Sequence, residues 1–284
     1  MLLRDWLSQA VQVLQPLAVT NPHATDLVFE AQRLWADVLD HSPAAYIAYA
    51  SQALDASELQ RLDAALQRRA AGEPLAYITG RWWFWDLELE VAPCTLIPRP
   101  DTEVLVDSAL QLELPADAKV LDLGTGTGAI ALVLARENPL WQVTAVDVHA
   151  DAVALASRNQ QRYQVPNLSI VQSDWYSALQ GQVFDLIVSN PPYIDPHAPE
   201  LCQGDVQFEP RTALVADDAG LADIRQILQG SVTHLAVGGW LVIEHGYDQA
   251  DAVQQLFASY SLAKIRTVDD LGQRPRLTLG QKTL

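Results

Sequence analysis

Four consecutive residues, Asn190-Pro191-Pro192-Tyr193, hold the most specific chemistry in this sequence. The asparagine side-chain oxygen and the Pro191 backbone carbonyl are both acceptors, and a proline has no N–H to compete with them. Together they can hold the two hydrogens of a planar –NH2 group, and Tyr193 offers a face on which a flat group can stack. A planar amino nitrogen (adenine N6, cytosine N4, a glutamine amide) is a poor nucleophile because its lone pair is delocalised. Two acceptors drawing on its hydrogens favour the pyramidal, nucleophilic form as attack begins, so the stabilisation is aimed at the transition state. An isolated Asn-Pro pair is most often an ordinary turn. The elements around this one point elsewhere.

The preceding run, Phe184–Ser189, reads as a buried strand of a parallel sheet. Two prolines cannot join a ladder, so the strand ends there, at the carboxyl edge where open α/β sheets bind ligands. Upstream, residues 120–123 predict a strand, Gly124-Thr125-Gly126-Thr127-Gly128 a tight loop and 129 to about 136 a helix. A second strand over 142–146, closed by Asp147, completes one βαβ unit. Helices near 151–160, 221–235 and 248–260 and strands near 168–172, 240–245, 263–268 and 276–279 extend it. The expected fold is a doubly wound, Rossmann-like α/β sheet of seven strands.

The glycine loop is by itself a weak signal, but two details discriminate. Its spacing is G-x-G-x-G, not the G-x-G-x-x-G of dinucleotide sites. Asp122 stands directly before it, where a pyrophosphate would be repelled and a ligand carrying an amino group and a sulfonium would be favoured. Asp147 can take both hydroxyls of a ribose. Asp174-Trp175, after the next strand, can meet an adenine by hydrogen bond and stacking, with core packing of Trp175 the less favoured alternative. Asp122, Gly124, Thr125, Gly126, Thr127, Gly128, Asp147, Asp174 and Trp175 are thus the candidate contacts for S-adenosylmethionine.

Before the sheet, residues from about 2 to 72 read as short helices. Leu2, Leu3, Trp6, Leu7, Ala10, Val11 and Leu14 recur at helical spacing. Asn21-Pro22 and Ser42-Pro43 look like helix starts, Ser57-x-x-Gln60 fits a capping box, and Gly72 fits a stop. Trp82 to Trp85 followed by Leu87, Leu89 and Val91 alternates like a hairpin. Leu96 to Glu103 leads into a helix running to about Leu112, and Arg99 belongs either to a surface charge pair with Asp101 and Glu103 or to the site. The expected organisation is a helical bundle over 1–73, a linker with a hairpin over 74–97 and the catalytic domain over 98–284.

Thirty-five acidic against 18 basic side chains give a net charge of −17, which disfavours a partner gripped through its phosphates. Two lone cysteines, Cys94 and Cys202, and six scattered histidines suggest neither a metal site nor a disulfide framework. No stretch reaches the roughly 18 apolar residues of a membrane span, and no secretory signal is visible. A cytoplasmic monomer is expected.

The set Asp122 to Gly128, Asp147 and Asn190 to Tyr193, in that order, resembles class I methyltransferases acting on a planar amino group. Residues 72–80, 96–103 and 208–214 and the helical N-terminus narrow the resemblance to the release factor glutamine methyltransferase family. The family often has Glu where this chain has Asp101. The resemblance implies methyl transfer from S-adenosylmethionine, leaving S-adenosylhomocysteine, to the N5 amide of the glutamine in the Gly-Gly-Gln tip of class I peptide-chain release factors. It implies Asn190 as a further cofactor contact, Asn190, Pro191 and Tyr193 as the catalytic set, and Asn190, Pro191, Pro192 and Tyr193 as the glutamine pocket, with no direct contact to nucleic acid. Rival readings are a sister glutamine methyltransferase acting on a ribosomal protein, an adenine-N6 methyltransferase, and a cofactor-binding scaffold without activity.

Overall fold

The computed structural model describes residues 1–17 and 26–283. The chain divides into two compact units, one of Met1–Arg81 with Pro199–Phe208 and the other of Trp82–Ala198 with Glu209–Leu284.

The first unit is helical: α1 (Leu3–Leu14), α2 (Leu27–Leu39), α3 (Tyr46–Tyr49), α4 (Ala56–Ala70) and α5 (Leu75–Thr79). Its core gathers Leu3, Trp6, Leu14, Leu34, Trp35 and Leu62, the apolar stripes read from the sequence. Asn21-Pro22 lies outside the described residues. The start signal nearest α2 is Asp26, whose side chain accepts from the N–H groups of Val28 and Phe29. At Ser42-Pro43 the chain makes only a 3-10 turn before the single turn of α3.

The expected capping box was displaced by two residues. The cap of α4 is Asp55, which accepts from Glu58 N while Glu58 returns the bond to Asp55 N. Ser57 is already inside the helix. A carboxylate accepts more strongly than a hydroxyl and suits the positive end of the helix dipole, so the acidic pair prevails. Past its end, Gly72 adopts φ 97°, and a Cβ there would press against the Phe208 ring at 3.2 Å. Arg69, almost wholly buried, pairs with Glu30 at 2.9 Å and Asp205 at 3.0 Å. These contacts explain why Pro199–Phe208 folds with the helices, an excursion that periodicity did not announce.

The second unit opens with the hairpin β1 (Arg81–Phe84) and β2 (Leu87–Glu90). Of its aromatic run, Phe84 is buried and Trp83 half exposed. The main sheet has β3 (Lys119–Leu123), β4 (Gln142–Asp147), β5 (Leu168–Gln172), β6 (Phe184–Ser189), β7 (Leu235–Glu244), β8 (Leu262–Asp269) and β9 (Pro275–Lys282). Its order is β5-β4-β3-β6-β7-β9-β8, parallel except at β9, which runs antiparallel to both neighbours.

Side chains alternate across this sheet. Val120, Val143, Leu186 and Val242 face α6 (Glu103–Leu110) and α7 (Ala129–Glu137). Leu121, Val146, Ile187 and Ile243 face α9 (Ala222–His234) and α10 (Ala250–Ser259), with α8 (Ala150–Tyr163) completing the βαβ repeats. The order reverses between β3 and β6, which makes their carboxyl ends the switch point of the sheet.

Asp55→Ala should lower unfolding free energy by about 1 kcal/mol, and Ser57→Ala should leave it within about 0.5 kcal/mol. Denaturant unfolding of both variants checks the placement of the cap, and equal losses would contradict it.

Candidate active site

Register brings the two motifs together. Leu123 stands opposite Ser189 in the parallel β3–β6 pair, so Gly124 and Asn190 leave the sheet side by side. Ser189 Oγ adds a bond to the Leu123 carbonyl at 2.8 Å. Above this edge lies a cavity of about 450 Å³, lined by residues from four loops that include Gly124 to Thr127, Asp147 to His149, Ser173 to Trp175, and Asn190 with Pro192.

The glycine loop turns through positive φ at Gly124, Gly126 and Gly128 (72°, 56° and 84°), conformations that side-chain-bearing residues seldom adopt. Gly128 is the N-cap of α7, and its α-carbon packs against Ala156. Asp147 braces the loop: its Oδ2 accepts from Gly126 N and its Oδ1 from His149 N, both at 3.0 Å. A carboxylate so held retains lone pairs for the cavity and a fixed orientation. Trp175 stands at φ 45°, with its ring 3.9 Å from where a Gly124 Cβ would be.

Asp122 does not line the cavity. It is fully buried behind the loop, where Oδ2 accepts from Thr125 Oγ1 at 2.6 Å, the Ala131 backbone N–H lies close by, and Oδ1 has no partner of good geometry among the described residues. Burial pushes its carboxyl up to about 7, against the opposing pull of Thr125. Gly128, Pro191 and Tyr193 are also absent from the lining, whereas Thr125, Gly126, Thr127, Asp147, Asp174 and Trp175 are present.

Asn190 is oriented from the far side. Its Nδ2 donates to Thr102 Oγ1 at 3.0 Å, which leaves Oδ1 as the open acceptor. Tyr193 Oη donates to Glu244 Oε1 at 3.2 Å, and burial raises that hydroxyl well above the usual tyrosine range. The Tyr193 carbonyl is held by Gln249 Nε2 at 3.0 Å, and the same amide reaches the Ala219 carbonyl. Gly220, at φ 81°, lies beneath it, and a Cβ there would fall 2.0 Å from the Tyr193 oxygen. After Ile194 the chain pairs with Val215, bringing Thr212, Ala213 and Val215 to the cavity wall.

Arg99 resolves in favour of the site. It lines the cavity and pairs with the buried Glu209 at 2.7 Å, while Asp101 pairs with Arg276 and Glu103 accepts from Trp85 N. Thr102, Glu244, Gly220 and Gln249 went unread as site residues. A buried Glu at the end of an apolar strand, Leu241 to Ile243, was the one available signal among them.

A doubly wound sheet with a glycine loop and an Asn-Pro-Pro-Tyr loop at its switch point defines a class I methyltransferase. Residues 100–204 match the Methyltransferase small domain family, and residues 5–80 the PrmC N-terminal domain family. The release factor glutamine methyltransferase of Escherichia coli (strain K12) is 48% identical over 98% of either chain. That of Pseudomonas aeruginosa is 56% identical over 78% of this chain and 80% of its own. The chain belongs to the release factor glutamine methyltransferase family. Among solved structures, a methyltransferase from Pyrococcus furiosus aligns with a TM-score of 0.54 at 18% identity, over 77% of this chain and 98% of its own. The hMettl16 catalytic domain in complex with an RNA hairpin aligns at 0.57 and 16%, over 78% and 82%. At such identities the likeness is one of fold.

The Asp122 carboxyl makes stability depend on pH. Its proton is held up to about 7 in the folded protein, whereas the unfolded chain releases it near 3.8. The folded state therefore binds more protons between these values, and this contribution to stability is lost as pH rises through them. Relative to wild type, Asp122→Asn should gain melting temperature as pH rises from about 4 to about 7 and then level off. Thermal melts of the protein without cofactor check this, and a pH-independent difference would refute it. Gly220→Ala should displace the Tyr193 carbonyl and lower turnover about 100-fold, measured as initial rate per folded molecule.

Proposed function

We propose that this enzyme transfers a methyl group from S-adenosylmethionine to the side-chain amide nitrogen of the glutamine in the Gly-Gly-Gln motif of class I release factors. The observation that carries the reading is the fixed orientation of Asn190, whose amide nitrogen is occupied by Thr102 so that its oxygen faces the substrate. The name shared by its relatives agrees with that substrate.

The lining fits the cofactor. Asp147 is oriented for two ribose hydroxyls by Gly126 N and His149 N. Asp174 and Trp175 suit an adenine edge and face, and the glycines allow close approach of a methionine moiety. The unpartnered Oδ1 of Asp122 adds negative potential behind the loop, suited to a cation. When bound, S-adenosylmethionine supplies an activated methyl group on a sulfonium.

The rest is done by this chain's own groups. Asn190 Oδ1 and the Pro191 carbonyl take the two amide hydrogens and orient the nitrogen lone pair toward the methyl. As positive charge develops on nitrogen, both acceptors bind its hydrogens more strongly, which lowers the barrier selectively. Pro192 completes the pocket wall, and Tyr193, held by Glu244 outside the lining, braces the loop. Neither Asn190 nor Tyr193 is a base, so the proton leaves the methylated amide to water. The helical unit over 1–73 docks the release factor, and 98–284 performs transfer to it.

Methyl transfer from labelled S-adenosylmethionine to a purified release factor, beside tRNA, DNA and ribosomal protein, tests the assignment. Label should appear on the release factor and vanish when its Gly-Gly-Gln glutamine is replaced. Label on nucleic acid or ribosomal protein alone would overturn the substrate. Asn190→Ala should lower turnover by about 10²- to 10³-fold while cofactor affinity changes by less than about threefold. Normal turnover in that variant would remove Asn190 from the mechanism.

A further inference from the structure

Glu244 ends β7 with only 1% of its surface exposed, yet it belongs to no motif and does not line the cavity. Three groups surround it from different elements. Tyr193 Oη donates to its Oε1 at 3.2 Å, and the Thr102 hydroxyl stands near enough to the same carboxyl to hold its pKa down. From β9, Arg276 adds positive charge, itself shared with Asp270 at 2.9 Å and Asp101 at 3.2 Å. The Oε2 atom has no partner of good geometry, an expensive arrangement for a buried oxygen. Fold stability alone does not call for a carboxylate there, because apolar residues commonly replace buried charges at no loss.

We infer that Glu244 is a positioning residue for methyl transfer, acting through Thr102 and Tyr193 so that Asn190 presents its oxygen to the substrate amide. The inference rests on Asn190 being the amide-binding acceptor. A threonine hydroxyl has one hydrogen, and a carboxylate can only accept. A carboxylate beside Thr102 draws that hydrogen toward itself and leaves the Thr102 lone pairs to receive Asn190 Nδ2 at 3.0 Å. If the group beside Thr102 could donate, the hydroxyl would be free to turn its hydrogen toward Asn190. The Asn190 amide would then be stabilised in the reversed orientation, with its –NH2 facing the substrate –NH2. Two donors cannot bind each other, and the acceptor that assists attack would be lost. The bond to Tyr193 fixes the other end of the Asn-Pro-Pro-Tyr loop with the same carboxyl.

This arrangement has a pH signature. Burial, aided by the charge of Asp101, pushes the Glu244 carboxyl up to about 7, opposed by Thr102, Arg276 and the Tyr193 hydroxyl. Below that value the carboxyl is itself a donor and can reverse the chain of bonds. Turnover at saturating cofactor should therefore rise as pH rises through about 7.

Single-turnover methylation of a release factor by wild type, Glu244→Gln, Thr102→Val and Asn190→Ala, across this pH range and with cofactor titrations, tests the inference. Glu244→Gln, whose amide donates at every pH, should lower the rate about 10- to 100-fold above the titration. It should also flatten the pH profile and leave cofactor affinity within about threefold. Thr102→Val, which removes the intermediary, should show the same loss and the same flat profile, and it serves if Glu244→Gln does not fold. A wild-type rate and profile in either folded variant would overturn the inference while Asn190→Ala remained impaired. A wild-type rate in Asn190→Ala would instead overturn the reading on which it rests.

Discussion

Leu123 and Ser189 share one rung of the parallel β3–β6 pair, and every feature of the site follows from that register. One strand ends because glycines take the chain into positive φ, the other because prolines cannot continue a ladder. A slip by one residue would reverse the faces of β6, sending Ile187 and Ser189 toward the opposite helices. The apolar alternation of β6, buried on both faces, thus does more than stabilise the sheet. It sets the distance between the glycine loop and the Asn-Pro-Pro-Tyr loop, which the proposed in-line transfer requires to be short.

Two buried carboxyls flank this arrangement, Asp122 behind the glycine loop and Glu244 behind the Asn-Pro-Pro-Tyr loop. Each has one oxygen without a partner, and burial raises each to about 7. Neither improves the packing around it. Groups that weaken a fold persist where function depends on them. Their placement, one behind each half of the site, fits a division of work between holding a cation and orienting an acceptor.

The elements were legible because they depend on local periodicity: β5 and β6 lie where the alternation placed them, and the glycine spacing located the loop. Relations between distant residues were not legible. Thr102 and Asn190 are 88 positions apart, and nothing in either neighbourhood announces their bond. No local pattern marks Gly220, whose need for glycine comes from the Tyr193 carbonyl, 2.0 Å from where its Cβ would be. The excursion at 199–208 hid for the same reason, since Arg69 and Asp205 stand 136 residues apart. Asp122 was read by its charge, but strand alternation turns it under the loop and away from the cavity wall. The cap at Asp55 was a local signal that competed with Ser57, and the stronger acceptor prevailed.

The site explains the reaction better than it explains the substrate. The two acceptors proposed, Asn190 Oδ1 and the Pro191 carbonyl, suit any planar amino group, and an adenine would satisfy them as well as a glutamine amide. The sheet does not discriminate either, since one such fold carries many unrelated chemistries. Discrimination must come from surfaces outside the pocket. The N-terminal helices are the part of the chain that matches a narrower family, over residues 5–80. The net charge of −17 acts in the same direction, repelling a phosphate backbone at long range and favouring a basic protein partner. On the proposed function, specificity for a protein amide is then a property of docking and field, imposed on a pocket whose chemistry is more permissive than its use.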